Sequence, residues 1–202
     1  MNIEGLIKVA QAKLITSPFD QGHDLVHHYK VWENCFEIIM AEKLIEVDFD
    51  NLQLAVWFHD VDRDSKDNPT FLRAAKDFAL SNDEITNVLD IMNAHSFSDE
   101  RSGKLEAKIL FDADKVEYIG YSRWLYISNA IKNGDMSLES GLKYAEALNG
   151  RMEYVVANIN FNRTKVMLKR NLDATIFLKD KGLLVKEVST RIDWNLLNGL
   201  FK

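Results

Sequence analysis

Residues 52–64 read LQLAVWFHDVDRD. Leu52, Leu54, Ala55, Val56, Trp57 and Phe58 leave almost no polar face, so the stretch predicts a central, buried helix. It ends on an imidazole and a carboxylate, His59 and Asp60, and then enters an acidic loop. Two such groups at the end of a buried helix need partners, because burying them alone is costly. A His-Asp pair that caps the helix and meets solvent would satisfy this. So would a cation held between the two side chains.

Outward from this stretch, apolar residues recur at three- and four-residue spacing and no segment alternates with period two. Helices are expected near Ile3–Ile15, ended by Ser17-Pro18, and from His23 or Asp24 to about Ile45. VDFDN, residues 47–51, reads as a loop. Asn68-Pro69 starts a helix that runs through Phe78, and Ser81-Asn82-Asp83 starts another that reaches His95. Lys104 onward is helical through Val116, and again from Tyr121 to Ile131, where Asn133-Gly134 closes it. Ser137–Leu148 is a helix closed by Asn149-Gly150. Residues 151–181 give one or two helices, and a short one is expected near Ser189–Leu197. The reading is all-α: one helical bundle over residues 1–202, with the motif-bearing core at about 20–125 and further helices over 126–202.

Composition bounds the function. The chain has 202 residues, 47% of them apolar, enough for a sizeable core. A net charge of -6 argues against nucleic acid as the main partner, since phosphate backbones need clustered Lys and Arg. No apolar run reaches the length of a membrane span, which leaves no expected membrane partner. A single cysteine, Cys35, excludes an internal disulfide framework and fits a reducing compartment, and the N-terminus lacks a secretory apolar centre. A cytoplasmic location is the expectation.

Two further places could carry chemistry. In DLVHHYKV, residues 24–31, His27 falls on the core-facing stripe with Val31, His28 lies about a hundred degrees round near Trp32, and His23 reads as an exposed helix-start residue. In KILFDADKVEYIG, residues 108–120, Asp114 abuts the stripe of Ile109, Leu110, Ala113 and Val116, whereas Asp112 points elsewhere. A carboxylate there needs a donor, a metal or a cation, for which Arg123 or Arg163 would serve. Together these places supply two imidazoles and two carboxylates at the core-facing edges of three helices. Helical bundles build metal sites in this way, and mixed nitrogen and oxygen ligation suits zinc or a transition metal better than calcium.

The ordered set His27, His59-Asp60 and Asp114 resembles the H…HD…D signature of the HD-domain superfamily of metal-dependent phosphohydrolases. HDLVHHYKV is similar to the family's first motif, with Lys30 and Val31 following His27. LAVWFHDV is similar to the second. NAHSFSDE and LEAKILFDADKVEYIG resemble the His-Ser-Phe segment and the DADR-like motif of the small stand-alone HD hydrolases. The resemblance spans about residues 20–125.

It implies a fold of the HD type and one divalent ion (Mn, Fe, Co, Ni or Zn) held by His27, His59, Asp60 and Asp114. The implied activity is hydrolysis of a phosphoester or phosphoanhydride bond in a small, nucleotide-like substrate by a metal-activated water. Asp60, His95 and Asp64 are the candidate catalytic groups: His95 as phosphate donor or leaving-group acid, because imidazole titrates near neutral pH, or equally as a cation favoured by the end of its helix, and Asp64 to orient water or a neighbouring group. Lys115, beside the last aspartate of the motif, is the implied substrate contact; Lys30, Arg63 and Lys66 are further candidate cations, each of which could equally be a solvated surface residue. Lys115 stands where the family usually has arginine, and lysine lacks the bidentate fork. HDVDRD keeps only half of the HDxxED pattern of the guanosine-tetraphosphate hydrolases, which argues against that substrate. The rival reading is a non-catalytic, metal-stabilised nucleotide-sensing domain that regulates a partner. A homo-oligomer is compatible with either.

Overall fold

The computed structural model describes residues 2–16, 23–62, 65, 67–96 and 103–201. Among them are eleven α-helices, a 3-10 turn at Glu117–Ile119 and no strand, so the all-α expectation holds. The expected break at Ser17-Pro18 lies outside the described residues. The chain divides into two compact units, Met1–Asp114 and Lys115–Lys202.

The first unit carries α1 (Ile3–Thr16), α2 (Leu25–Glu42), α3 (Phe49–Phe58), α4 (Pro69–Asp77), α5 (Asn82–Asn93) and most of α6 (Leu105–Val116). Helix α3 is the central one. Leu52 and every residue from Leu54 to Phe58 are buried, and the helix packs against α1, α2 and α5. Each of the leucine, valine and phenylalanine side chains among them contributes roughly 1.5–3 kcal/mol of transfer free energy. The N-terminus of α3 is fixed by its cap: Asp48 accepts from Asn51 N (3.1 Å) and from Asn51 Nδ2 (2.7 Å). Asp48 N in turn donates to Glu106 Oε1 at 2.7 Å, which ties the cap to α6. The VDFDN stretch is therefore the start of α3 as much as a loop, and sequence periodicity missed it because its signal is a cap. Helix α2 ends at Glu42, before Ile45, because Lys43 turns left-handed at φ 56°.

Asn68 does not cap α4 as expected. Its backbone is left-handed (φ 45°), its side chain makes no cap bond, and Pro69 supplies the start. Ser81 and Glu84 form the reciprocal capping box that opens α5.

The second unit carries α7 (Tyr121–Asn133), α8 (Leu138–Asn158), α9 (Asn162–Asp180), α10 (Lys186–Arg191) and α11 (Trp194–Gly199). Helix α8 runs straight through Asn149-Gly150, where a stop was expected. The Asn149 side chain is engaged elsewhere: Nδ2 donates to Arg191 O at 2.8 Å and Oδ1 accepts from Asp193 N at 2.9 Å. That tertiary pairing removes the local reason to stop. The tail forms α10 and α11 rather than one helix over Ser189–Leu197. Asn133-Gly134 does close α7, with Gly134 at φ 83°. Trp124 is core, while Tyr121 is half exposed and Arg123 lies 5.6 Å from the ring centroids of both Tyr118 and Tyr144.

Candidate metal centre

Three helices of the first unit deliver four side chains to one point. Asp24 caps α2 by accepting from His27 N at 3.0 Å, which sets His27 in the first helical turn. His59 is the C-cap of α3, and its Nδ1–H donates to Val56 O at 2.7 Å. Asp60 follows it. The chain beyond is held by Asp62, which accepts from Thr70 N (2.6 Å) and Thr70 Oγ1 (2.8 Å) at the start of α4. Asp114 lies near the end of α6. Buried Asn34 of α2 anchors that place by donating from Nδ2 to Ala113 O at 3.1 Å.

His27, His59, Asp60 and Asp114 each present one ligand atom, and these four atoms lie within 4.8 Å of one another. His59 Nε2 is 3.2 Å from Asp60 Oδ2 and 3.9 Å from Asp114 Oδ1. His27 Nε2 is 3.7 Å from Asp60 Oδ2 and 3.3 Å from Asp114 Oδ1. Both Nε2 atoms are fully buried and neither has a partner in hydrogen-bond geometry. For His59 the carbonyl of Val56 can only accept, so Nδ1 carries a proton and Nε2 faces the carboxylates, placed to take an ion or a second proton. This is the tautomer that a metal-binding histidine needs, fixed by a backbone carbonyl. Two orphaned imidazole nitrogens facing two carboxylates fit a divalent cation. The group could hold a metal ion, with nitrogen and oxygen donors that suit zinc or a first-row transition metal.

Two of the four side chains, His59 and Asp60, act strongly on each other. Burial works against the His59 cation, but the adjacent Asp60 carboxylate more than offsets it, with Asp114 adding, so His59 holds its proton above the usual histidine range. Burial would raise Asp60 too, yet His59 and then His95 hold its carboxyl well below the usual range. His28 goes the other way: burial, and then the neighbouring imidazoles, keep it neutral.

No protein-family model matches this sequence, and no curated protein matches it. Among solved structures, the chain superposes on a Lactobacillus plantarum protein determined by the Northeast Structural Genomics effort. The TM-score is 0.66 at 16% identity, over 89% of this chain and 94% of that one. At that identity the likeness shows the fold alone.

All five histidines of the chain gather around Asp60 or its neighbour His59. His95 follows α5, with Nδ1–H donating to Met92 O. Its Nε2 lies 3.8 Å from Asp60 Oδ1 and its ring stands edge-on to His59 at 4.9 Å. His28 is fully buried rather than turned towards Trp32. Its ring lies 4.6 Å from that of His59 and stacks on Trp57 at 6.3 Å. His23, read from sequence as an exposed helix-start residue, is 8% exposed, and its Nε2 lies 4.0 Å from Asp60 Oδ2. Nothing in the sequence marks His23 as a site residue, because a position just before a cap is normally solvated. Asp112, read as pointing elsewhere, is buried (0% exposed), while Asp114 keeps partial exposure at the edge of the core.

Lys30 is half-buried on α2, three residues past His27. Lys115 is buried and directly follows Asp114. Arg63, Asp64 and Lys66 lie outside the described residues, as do residues 97–100 of the NAHSFSDE segment. Cys35 is free and fully buried.

Proposed function

We propose that the chain is a metal-dependent phosphohydrolase of the HD type, acting on a phosphoester or phosphoanhydride bond of a nucleotide-like substrate. The observation that carries this reading is the convergence of His27, His59, Asp60 and Asp114. These are the four residues of the ordered sequence signature, and they meet with both imidazole Nε2 atoms buried and unpartnered.

In this reading the four side chains hold one divalent ion. A bound ion of this class lowers the pKa of water and offsets charge on a phosphoryl oxygen. The protein's own groups supply the rest. Asn34 holds the α6 backbone beside Asp114, and Val56 O holds the His59 tautomer. Water oxygen, having released a proton to bulk solvent, bonds to phosphorus as the bond from phosphorus to the leaving oxygen breaks. His95, in its imidazolium form, delivers a proton to that leaving oxygen, keeping its Nδ1–H on Met92 O. Lys30, Lys115 and Arg63 are the candidate phosphate cations, and Asp64 the candidate that orients water.

The test is turnover by chelator-stripped protein on a panel of nucleotides and p-nitrophenyl phosphate esters, with each divalent metal added back. Metal-restored hydrolysis that is lost in Asp60→Ala supports the reading, and the product names the bond. Stoichiometric metal without turnover on any substrate would favour a nucleotide-sensing domain.

A further inference from the structure

His23 stands outside the four-residue group, yet it is buried one residue ahead of the α2 cap. Its Nε2 faces Asp60 Oδ2 at 4.0 Å, the same oxygen that His27 and His59 approach at 3.7 and 3.2 Å. Its ring is set edge-on to that of His27, at 5.5 Å and 69°. A separation of 4.0 Å is too long for a hydrogen bond, so His23 does not orient Asp60 directly. An acceptor that lies to one side of the line between them, within hydrogen-bond reach of His23 Nε2, would sit beside the carboxylate. His95 stands in the same relation on the other side: Nε2 at 3.8 Å from Asp60 Oδ1, ring edge-on to His59 at 81°. The two imidazoles bracket Asp60, one against each oxygen.

We propose that His23 is a substrate contact. Its Nε2–H donates to a non-bridging oxygen of the phosphoryl group that this centre takes, opposite His95. The inference rests on the phosphohydrolase reading and deepens it. A phosphoryl group presents acceptors on several sides, so a bracket of two donors fixes its orientation as one donor cannot. Hydrogen bonds to such an anion are charge-assisted and among the stronger ones.

The experiment compares wild type, His23→Gln and His23→Asn as full-length, Mn(II)-loaded proteins. Metal content is measured for each, and inorganic phosphate is titrated calorimetrically. The glutamine amide reaches the place of Nε2; the asparagine amide stops at the place of Nδ1. His23→Gln is expected to bind phosphate within about threefold of wild type, and His23→Asn about tenfold more weakly, with equal metal content in all three. Equal phosphate affinity in all three, or equal loss in both variants, overturns the inference and leaves the hydrolase reading standing. Loss of metal in His23→Asn alone overturns it by making His23 a ligand. Wild type that takes up Mn(II) but no phosphate overturns both, and wild type that takes up no metal overturns the reading beneath them.

Discussion

If the four side chains hold an ion as proposed, removing it should destabilise the first unit by an amount that depends on pH. Without an ion, His27 Nε2 and His59 Nε2 are buried with no hydrogen-bond partner. A buried unsatisfied group costs about 1–3 kcal/mol, so the two together are worth about 2–6 kcal/mol. For a chain of this size each kcal/mol moves Tm by about 2–4 °C, which gives a shift between metal-loaded and stripped protein of about 4–24 °C. Protons partly substitute for the ion. His59 binds its proton more tightly in the stripped fold than in the unfolded chain. That contribution is full below about pH 6.5, the unfolded value, and is lost as pH rises through the higher folded value. Asp60 is depressed, so its contribution is present above about pH 4 and lost as pH falls through the lower folded value. The stripped protein should therefore gain from this pair most fully between about pH 4 and 6.5. The loaded protein should not weaken above that window, because the ion replaces the His59 proton. Thermal melts of stripped and reloaded protein from pH 5.5 to 8.5 read the difference directly. The gap should widen as pH rises. A gap that is absent, or that narrows with rising pH, would refute the reasoning.

Three further outcomes are expected. Asn34→Leu removes the Nδ2 donor from Ala113 O and frees the backbone beside Asp114; it should cost about 1–3 kcal/mol and weaken metal affinity about 10–100-fold, read by denaturant melts and metal competition. Leu54→Ala, in the fully buried centre of α3, should cost about 2–5 kcal/mol in the same melts. Cys35 is fully buried, and burial, followed by the nearby Asp114 carboxylate, pushes its thiol pKa far up. It should resist a thiol reagent in native protein at pH 8 and react at once in denaturant, and fast native labelling would contradict the packing of α2.

The sequence carried the fold where local chemistry and packing agree. The unbroken apolar run of Leu54–Phe58 gave a buried central helix, and the chemical oddity at its end, His59-Asp60, gave the site. His27 followed from helical phase, and Asp114 from its place against a core stripe. What the sequence hid depends on partners distant in the chain. Asn149-Gly150 looks like a stop until Arg191 O and Asp193 N occupy the asparagine side chain. Asp48 looks like a loop residue until Asn51 and Glu106 are seen to hold it. His23 and His28 look like a surface residue and a packing residue. Only the packing of α2, α3 and the end of α5 brings them beside Asp60 and His59.

The most direct test of the account is where a metal binds. Crystals of the protein soaked in Zn(II) would be measured at the zinc absorption edge. The account expects one strong anomalous peak in the first unit, about 2.0–2.2 Å from Nε2 of His27 and of His59 and from one carboxylate oxygen each of Asp60 and Asp114. No peak among these four side chains, with the protein intact in the crystal, would contradict it.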